Sequence, residues 1–131
     1  MAYVYGVASY NSTTKGSGMC RIWDDTKYMA AWPYIWEMNS GTCDKRECTV
    51  KDSIIRKDCG STVTVYQPCT GKTLGVTIAD CGPLMSSFCN DTGFYCKKSG
   101  YVSRIIDLTP TAFAYLGGSL DYGTMTVRVT Q

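Results

Sequence analysis

Two aspartates stand at or near the ends of apolar runs, and they are the residues of this chain best placed to do chemistry. Asp80 ends the run Thr73-Leu74-Gly75-Val76-Thr77-Ile78-Ala79-Asp80. Asp107 lies in Arg104-Ile105-Ile106-Asp107-Leu108-Thr109-Pro110. Paired carboxylates can cleave a glycosidic bond: one donates a proton to the leaving group, the other serves as base or nucleophile. Each aspartate also has a plain structural use. Asp107 can hydrogen-bond the backbone where Thr109-Pro110 opens a helix, and Asp80 can accept from amides of the Cys81-Gly82 turn. The chain contains no histidine, so a serine or cysteine nucleophile would have no imidazole base.

Cysteine is the other reactive type. Eight occur in 131 residues: Cys20, Cys43, Cys48, Cys59, Cys69, Cys81, Cys89 and Cys96. An even count at this density fits four disulfides in an oxidising compartment. Zinc is the rival use. Cys43 and Cys48 have tolerable ligand spacing, but no second close pair follows, and without histidine a site would need four thiolates. No metal and no cofactor is therefore expected. The start Met1-Ala2-Tyr3-Val4-Tyr5-Gly6 has neither the charged head nor the apolar core of a signal peptide. The cysteines favour a secreted protein whose leader has been removed. Two glycosylation sequons, Asn11-Ser12-Thr13 and Asn90-Asp91-Thr92, would matter only in a eukaryotic secretory pathway.

The balance of 13 basic and 11 acidic residues gives a net charge of +2, interleaved along the chain. That pattern argues against a nucleic-acid partner. No apolar run approaches a membrane span. The length suits one domain, residues 1–131, with a core of its own.

The elements that must position these residues are mostly short strands. Ala2 to Tyr10 reads as a first strand, followed by a polar Asn11–Gly18 loop. Asp24 or Asp25 is expected to cap a short helix over Lys27–Ala31, ended by Pro33. Asn39 to Lys51 reads as a surface knuckle closed by Cys43 and Cys48. Ser61 to Gln67 alternates, with Val63 and Val65 on one face. Pro68 and Gly71 make a turn, and Thr73 to Ala79 returns as the hairpin partner with Val76 and Ile78 inward. Cys81 to Gly100 is a long loop, acceptable because cysteines can tie it. Tyr101 to Leu108 is a strand, and Thr109 with Pro110 starts a helix through Leu116 that Gly117-Gly118 stops. Gly123 to Gln131 is a final strand with Met125, Val127 and Val129 on one face. The expectation is a mainly β chain: a closed, six-stranded barrel with short helices and disulfide-tied loops.

The order of these pieces resembles the double-psi β-barrel of barwin, expansins, loosenins, rare-lipoprotein-A-type domains and actinobacterial papain inhibitors. The resemblance is carried by Gly6-Val7-Ala8-Ser9-Tyr10, Gly18-Met19-Cys20, Tyr28-Met29-Ala30-Ala31, Cys59-Gly60 and Thr70-Gly71-Lys72. It continues in Val76-Thr77-Ile78-Ala79-Asp80-Cys81-Gly82-Pro83, Ile105-Ile106-Asp107-Leu108-Thr109-Pro110-Thr111-Ala112-Phe113 and Gly123-Thr124-Met125-Thr126-Val127. Pro33–Asp58 and Leu84–Tyr101 are unmatched and look like insertions. The resemblance implies a Cys20–Cys59 bridge, which would close a loop of about 40 residues and contribute on the order of 4 kcal/mol. It also implies that Cys81 pairs within its loop, with Cys89 or Cys96. Cys43–Cys48, and Cys69 with the remaining cysteine, complete the expected set.

The resemblance places Asp80 and Asp107 at one end of a groove. It also shows what is missing. Where rare-lipoprotein-A-type domains have Glu-x-x-Asp and a histidine after Ala-Ala, this chain has Arg21, Asp24 and Trp32. Where expansins have a histidine two residues before the second aspartate, it has Ile105. Guanidinium is no general acid at neutral pH, and indole shuttles no protons. The reading that follows is a secreted, non-catalytic protein. It would bind a cell-wall polysaccharide (peptidoglycan, cellulose or chitin) through Trp23, Trp32, Trp36, Tyr10 and Tyr28, or inhibit a papain-like cysteine protease with a rigid loop such as one closed by Cys81 and Cys96. The alternative is a lytic glycan-cleaving enzyme using Asp80 with Asp24 or Asp107. A third reading, from the ten tyrosines and near-neutral charge, is a structural or self-assembling protein.

Overall fold

The computed structural model describes residues 3–13, 16, 20–36, 43–45, 54–55, 57–83 and 88–131, with backbone alone at 34–36 and 43–45. The strands are β1 (Tyr3–Tyr10), β2 (Met29–Trp32), β3 (Tyr34–Trp36), β4 (Cys43–Lys45), β5 (Thr62–Gln67), β6 (Lys72–Cys81), β7 (Arg104–Leu108) and β8 (Thr124–Thr130). Helix α1 (Pro110–Tyr115) lies between β7 and β8. Six strands close a barrel in the order β1-β7-β2-β6-β5-β8, and β3 and β4 form a separate two-stranded sheet. The mainly β, six-stranded closed barrel expected from the sequence is what the chain forms.

The pairing is mixed. β1 and β7 run parallel, as do β2 and β6, while the other four barrel seams are antiparallel. The β5–β6 hairpin has the register implied by its alternation, with Val63 opposite Val76 and both buried. Ala8, Ala30, Val65, Ile78, Ile106, Leu108, Val127 and Val129 fill the interior, sealed at one end by Phe113 and Leu116. Gly6 lets β1 pass under the 101–105 segment. A Cβ there would sit 2.6 Å from the Ser103 carbonyl oxygen and 2.7 Å from Ile105.

Two expected elements differ. Lys27–Ala31 is not a helix; Met29–Trp32 is the strand β2, wedged between β6 and β7. Asp24 does cap, but it caps a turn: its Oδ1 accepts from Thr26 N at 3.0 Å and Thr26 Oγ1 at 2.7 Å. Two open strand edges outbid one turn of helix. Consequently α1 is the one helix among the described residues. The strand expected from Tyr101 starts at Arg104, because Ser103 takes a φ of 72° and gives its N–H to Asp91 O and its hydroxyl to Cys89 O.

Cys20–Cys59 is bridged, and so is Cys69–Cys96. The second bond removes Cys96 as a partner for Cys81, so the loop is not closed by a Cys81–Cys96 bridge. Cys81 and Cys89 are both disulfide-bonded, and no described cysteine is free. The expected Cys43–Cys48 pair, and most of the 39–51 knuckle, lie outside the described residues.

Thr109 joins three elements. Its backbone N–H donates to Met29 O, and its hydroxyl donates to Lys27 O at 2.6 Å while accepting from Met29 N and Ala112 N. It is fully buried. Thr109→Val keeps the shape but strands those groups. It is expected to lower unfolding free energy by about 2–4 kcal/mol in urea titration, with Thr109→Ser recovering most of the loss.

Candidate functional site

Strand register assembles the carboxylates. Ala31 on β2 lies opposite Asp107 of β7 and opposite Asp80 of β6. Asp107 in turn lies opposite Ser9 of β1, and Ser9 opposite Thr124 of β8. A row Thr124–Ser9–Asp107–Ala31–Asp80 therefore crosses four barrel seams. Register shifts between Val7 and Ala8 and between Ala30 and Ala31 bring the row into line. Ala8, Ala30 and Ile106 point inward, so by the strand's two-residue period Ser9, Ala31 and Asp107 face out. Ala31 and Ala79 pack on that outer side beneath Trp23 and Met29.

Asp107 accepts a hydrogen bond from Ser9 Oγ at 2.8 Å. Burial raises its pKa above the ordinary carboxylate value; the Ser9 bond and the charge of Arg104 work against this, and the charge of Asp80 adds to it. Asp80 Oδ1 accepts from Cys81 N at 2.8 Å, the turn-amide role open to it in the sequence. Asp24 belongs to a different neighbourhood. It is nine-tenths buried at its Thr26 turn, beside a cavity of about 300 Å³ lined by Arg21, Ile22, Trp23, Lys27 and Met29.

The aromatic residues expected to stack on a ligand fare unevenly. Trp23 and Trp32 are 1% and 0% exposed, so neither ring offers a face to a sugar. Each indole N–H is already satisfied, Trp23 by Asp25 Oδ1 at 2.7 Å and Trp32 by Ile55 O at 2.8 Å. The Asp25 carboxylate is slightly desolvated, yet bonds from Ser12, Thr13 and Trp23 hold it below its usual range. The side chain of Trp36 lies outside the described residues. Tyr10 donates to Leu120 O at 2.9 Å and leans on Phe113. Tyr28 is exposed and packs against Tyr115 with ring centroids 5.5 Å apart.

Sequence reasoning missed the most exposed aromatics among the described residues, Phe94 and Tyr122, each 60% exposed. Phe94 N donates to Thr124 Oγ1 at 2.9 Å, at the end of the carboxylate row. Tyr122 stacks on Tyr95, the next residue along. The signal was the position of Phe94 between Cys89 and Cys96, in a loop with no strand period to draw it inward.

No protein-family model and no curated protein matches the sequence. Solved structures do match. A Streptomyces papain inhibitor aligns over 98% of this chain and 93% of its own, at 22% identity and a TM-score of 0.57. The apo expansin of Clavibacter michiganensis aligns over 98% of this chain at 18% identity and a TM-score of 0.57. A mutant of that expansin, in complex with cellohexaose, gives 0.56 at 18% identity. The fold is the double-psi barrel of the expansin-like group. This chain spans about half the length of the expansin it matches.

Within that barrel the row leaves two partly exposed carboxylates, Asp80 and Asp107, while the Ser9 and Thr124 hydroxyls are buried and engaged, with no imidazole anywhere in the chain. Ile105, two residues before Asp107, is fully buried in the core. Trp32, after Ala30-Ala31, is core as well. Both side chains pack in the core.

A raised folded-state pKa means the folded protein holds the Asp107 proton more tightly than the unfolded chain. The resulting stability is complete below the unfolded value of 3.8 and is lost as pH rises through the folded value. Asp107→Asn removes that loss. Urea melts are expected to show the variant gaining on the wild type between about pH 3 and about pH 7; a pH-independent difference would contradict the assignment.

Proposed function

We propose that the protein is a secreted, disulfide-stabilised binding protein without catalytic activity, and that its target is a papain-like cysteine protease. The observation that carries this is the rigidity of the 88–103 loop that presents Phe94. Cys96 fastens it to Cys69 beside the hairpin turn. Arg104 pairs with Asp91 at 2.9 Å and stacks on the Phe88 ring at 4.0 Å. Gly93 lies so close to β8 that a Cβ would stand 2.8 Å from Thr126 N. A loop ordered before binding loses little entropy when it binds, and an exposed aromatic on such a loop is the usual anchor of an interface. The near end-to-end match with a papain inhibitor supports the same reading. The disulfides support secretion.

Polysaccharide binding is the second reading, favoured by the cellohexaose complex of the expansin neighbour and by the outward-facing carboxylate row with Tyr28 exposed. The partly exposed carboxylates of Asp80 and Asp107 can accept from sugar hydroxyls without cutting the chain. Cleavage by Asp80 with Asp107 or Asp24 has less behind it. The chain has no histidine to serve as a partner, and Asp24 is engaged at its turn.

Steady-state assays against a papain-like protease test the first reading. Phe94→Ala and Tyr122→Ala are each expected to weaken inhibition about tenfold or more, while Asp80→Asn leaves it unchanged. Pull-down on peptidoglycan, cellulose and chitin, with product analysis in the same tube, tests the other two. Retention without new sugar ends supports binding. New ends that vanish in Asp80→Asn would replace the proposal with a lytic enzyme.

A further inference from the structure

The outer face of β8 carries a cation for which no described residue supplies a counterion. Arg128 lies opposite Tyr5 of β1 and Tyr66 of β5. Its guanidinium carbon is 4.5 Å from the ring centroid of Tyr3 and 4.6 Å from that of Tyr66. The flat group is thus held between two rings. Its Nε is buried and has no hydrogen-bond partner, and no carboxylate pairs with it among the described residues. A guanidinium has five N–H donors in a rigid fork that matches a carboxylate. A buried donor left unmade is costly and asks for an explanation.

Two residues back on the same face, Thr126 lines a cavity of about 260 Å³ with Thr92, Gly93, Lys97, Lys98 and Ser99. Positions 126 and 128 share an outward direction and lie roughly 7 Å apart along the strand. Lys97 Nζ sits over the Phe94 ring at 5.8 Å. Neither Lys97 nor Lys98 has an acidic partner among the described residues. The acid of this loop, Asp91, is already taken by Arg104. Cationic groups from β8 and from the neighbouring loop therefore lie along one face, and the rings of Tyr3 and Tyr5 are exposed.

We propose that this face binds a carboxylate-bearing polysaccharide, one carboxylate on Arg128 and another anionic unit in the Thr126–Lys97–Lys98 cavity. The cavity has a mainly apolar wall with Thr92, Ser99 and two lysines at it and is of a size for one sugar ring. The exposed tyrosine rings offer flat surfaces to sugar C–H faces. Charge complementarity separates this face from the aspartate row, which repels an acidic chain. The inference stands apart from protease inhibition, which uses Phe94 and Tyr122.

Calorimetry on the intact protein tests it, with a short oligogalacturonate as probe and a cello-oligosaccharide and poly-glutamate as comparisons. Oligogalacturonate is expected to bind more tightly than the neutral oligomer, and less tightly as salt is added. Arg128→Gln and the double variant Lys97→Ala, Lys98→Ala are each expected to weaken it about tenfold. Thermal melts check that each variant folds. If Arg128→Gln does not, the exposed lysine pair decides alone. Equal affinity for the neutral oligomer, no binding, or affinity untouched in the folded variants would overturn the proposal. Poly-glutamate binding as tightly through the same residues would overturn it in favour of an acidic protein partner.

Discussion

One hydroxyl holds the crossing on which this barrel depends. Parallel pairs such as β1–β7 and β2–β6 cannot be made by hairpins, so the chain must pass from one end of the barrel to the other and be pinned where it turns. Thr109 is a pin. It ends β7, caps α1, and ties both to the Lys27–Met29 backbone. A side chain with one donor and two acceptor positions serves strands and helix together, which explains why threonine, and not an aliphatic residue of like size, is buried there.

The carboxylate row is a by-product of the same crossing. Because β2 is squeezed between β6 and β7, Ala31 has an aspartate on either side. Two like charges on either side of one strand, one of them largely buried, are unfavourable when both are ionised. Ser9 and Arg104 offset this for Asp107, and the Cys81 amide does so for Asp80. The chain has no histidine to relay protons, and Ile105 and Trp32 are buried in the hydrophobic core.

Most of the barrel was legible in the residues, and for physical reasons. Val63, Val65, Val76 and Ile78 alternate because one face of their hairpin is wet. The Thr109-Pro110 start of α1 follows from local capping chemistry that needs no tertiary partner. β2 was misread because Tyr28-Met29-Ala30-Ala31 has good local helix signals, and only the two neighbouring strand edges, distant in sequence, make it extended. The aspartate pair was legible as a pair, but its register was not, since two one-residue shifts set it. The tryptophans misled for a simpler reason: composition says that large aromatic rings exist, and burial decides whether they face solvent or core. Phe94 and Tyr122 lie in segments without periodicity, and for Phe94 its place between Cys89 and Cys96 was the sign that it faces out.

The Cys69–Cys96 bond has a consequence for the integrity of the loop. Phe94 falls inside the span it encloses, so a cut just after Phe94 severs the backbone while leaving both pieces covalently joined. Asp91 and Arg104 would then sit on opposite pieces and still hold each other. A single nick there would therefore leave one molecule, its two new ends tethered to the same barrel.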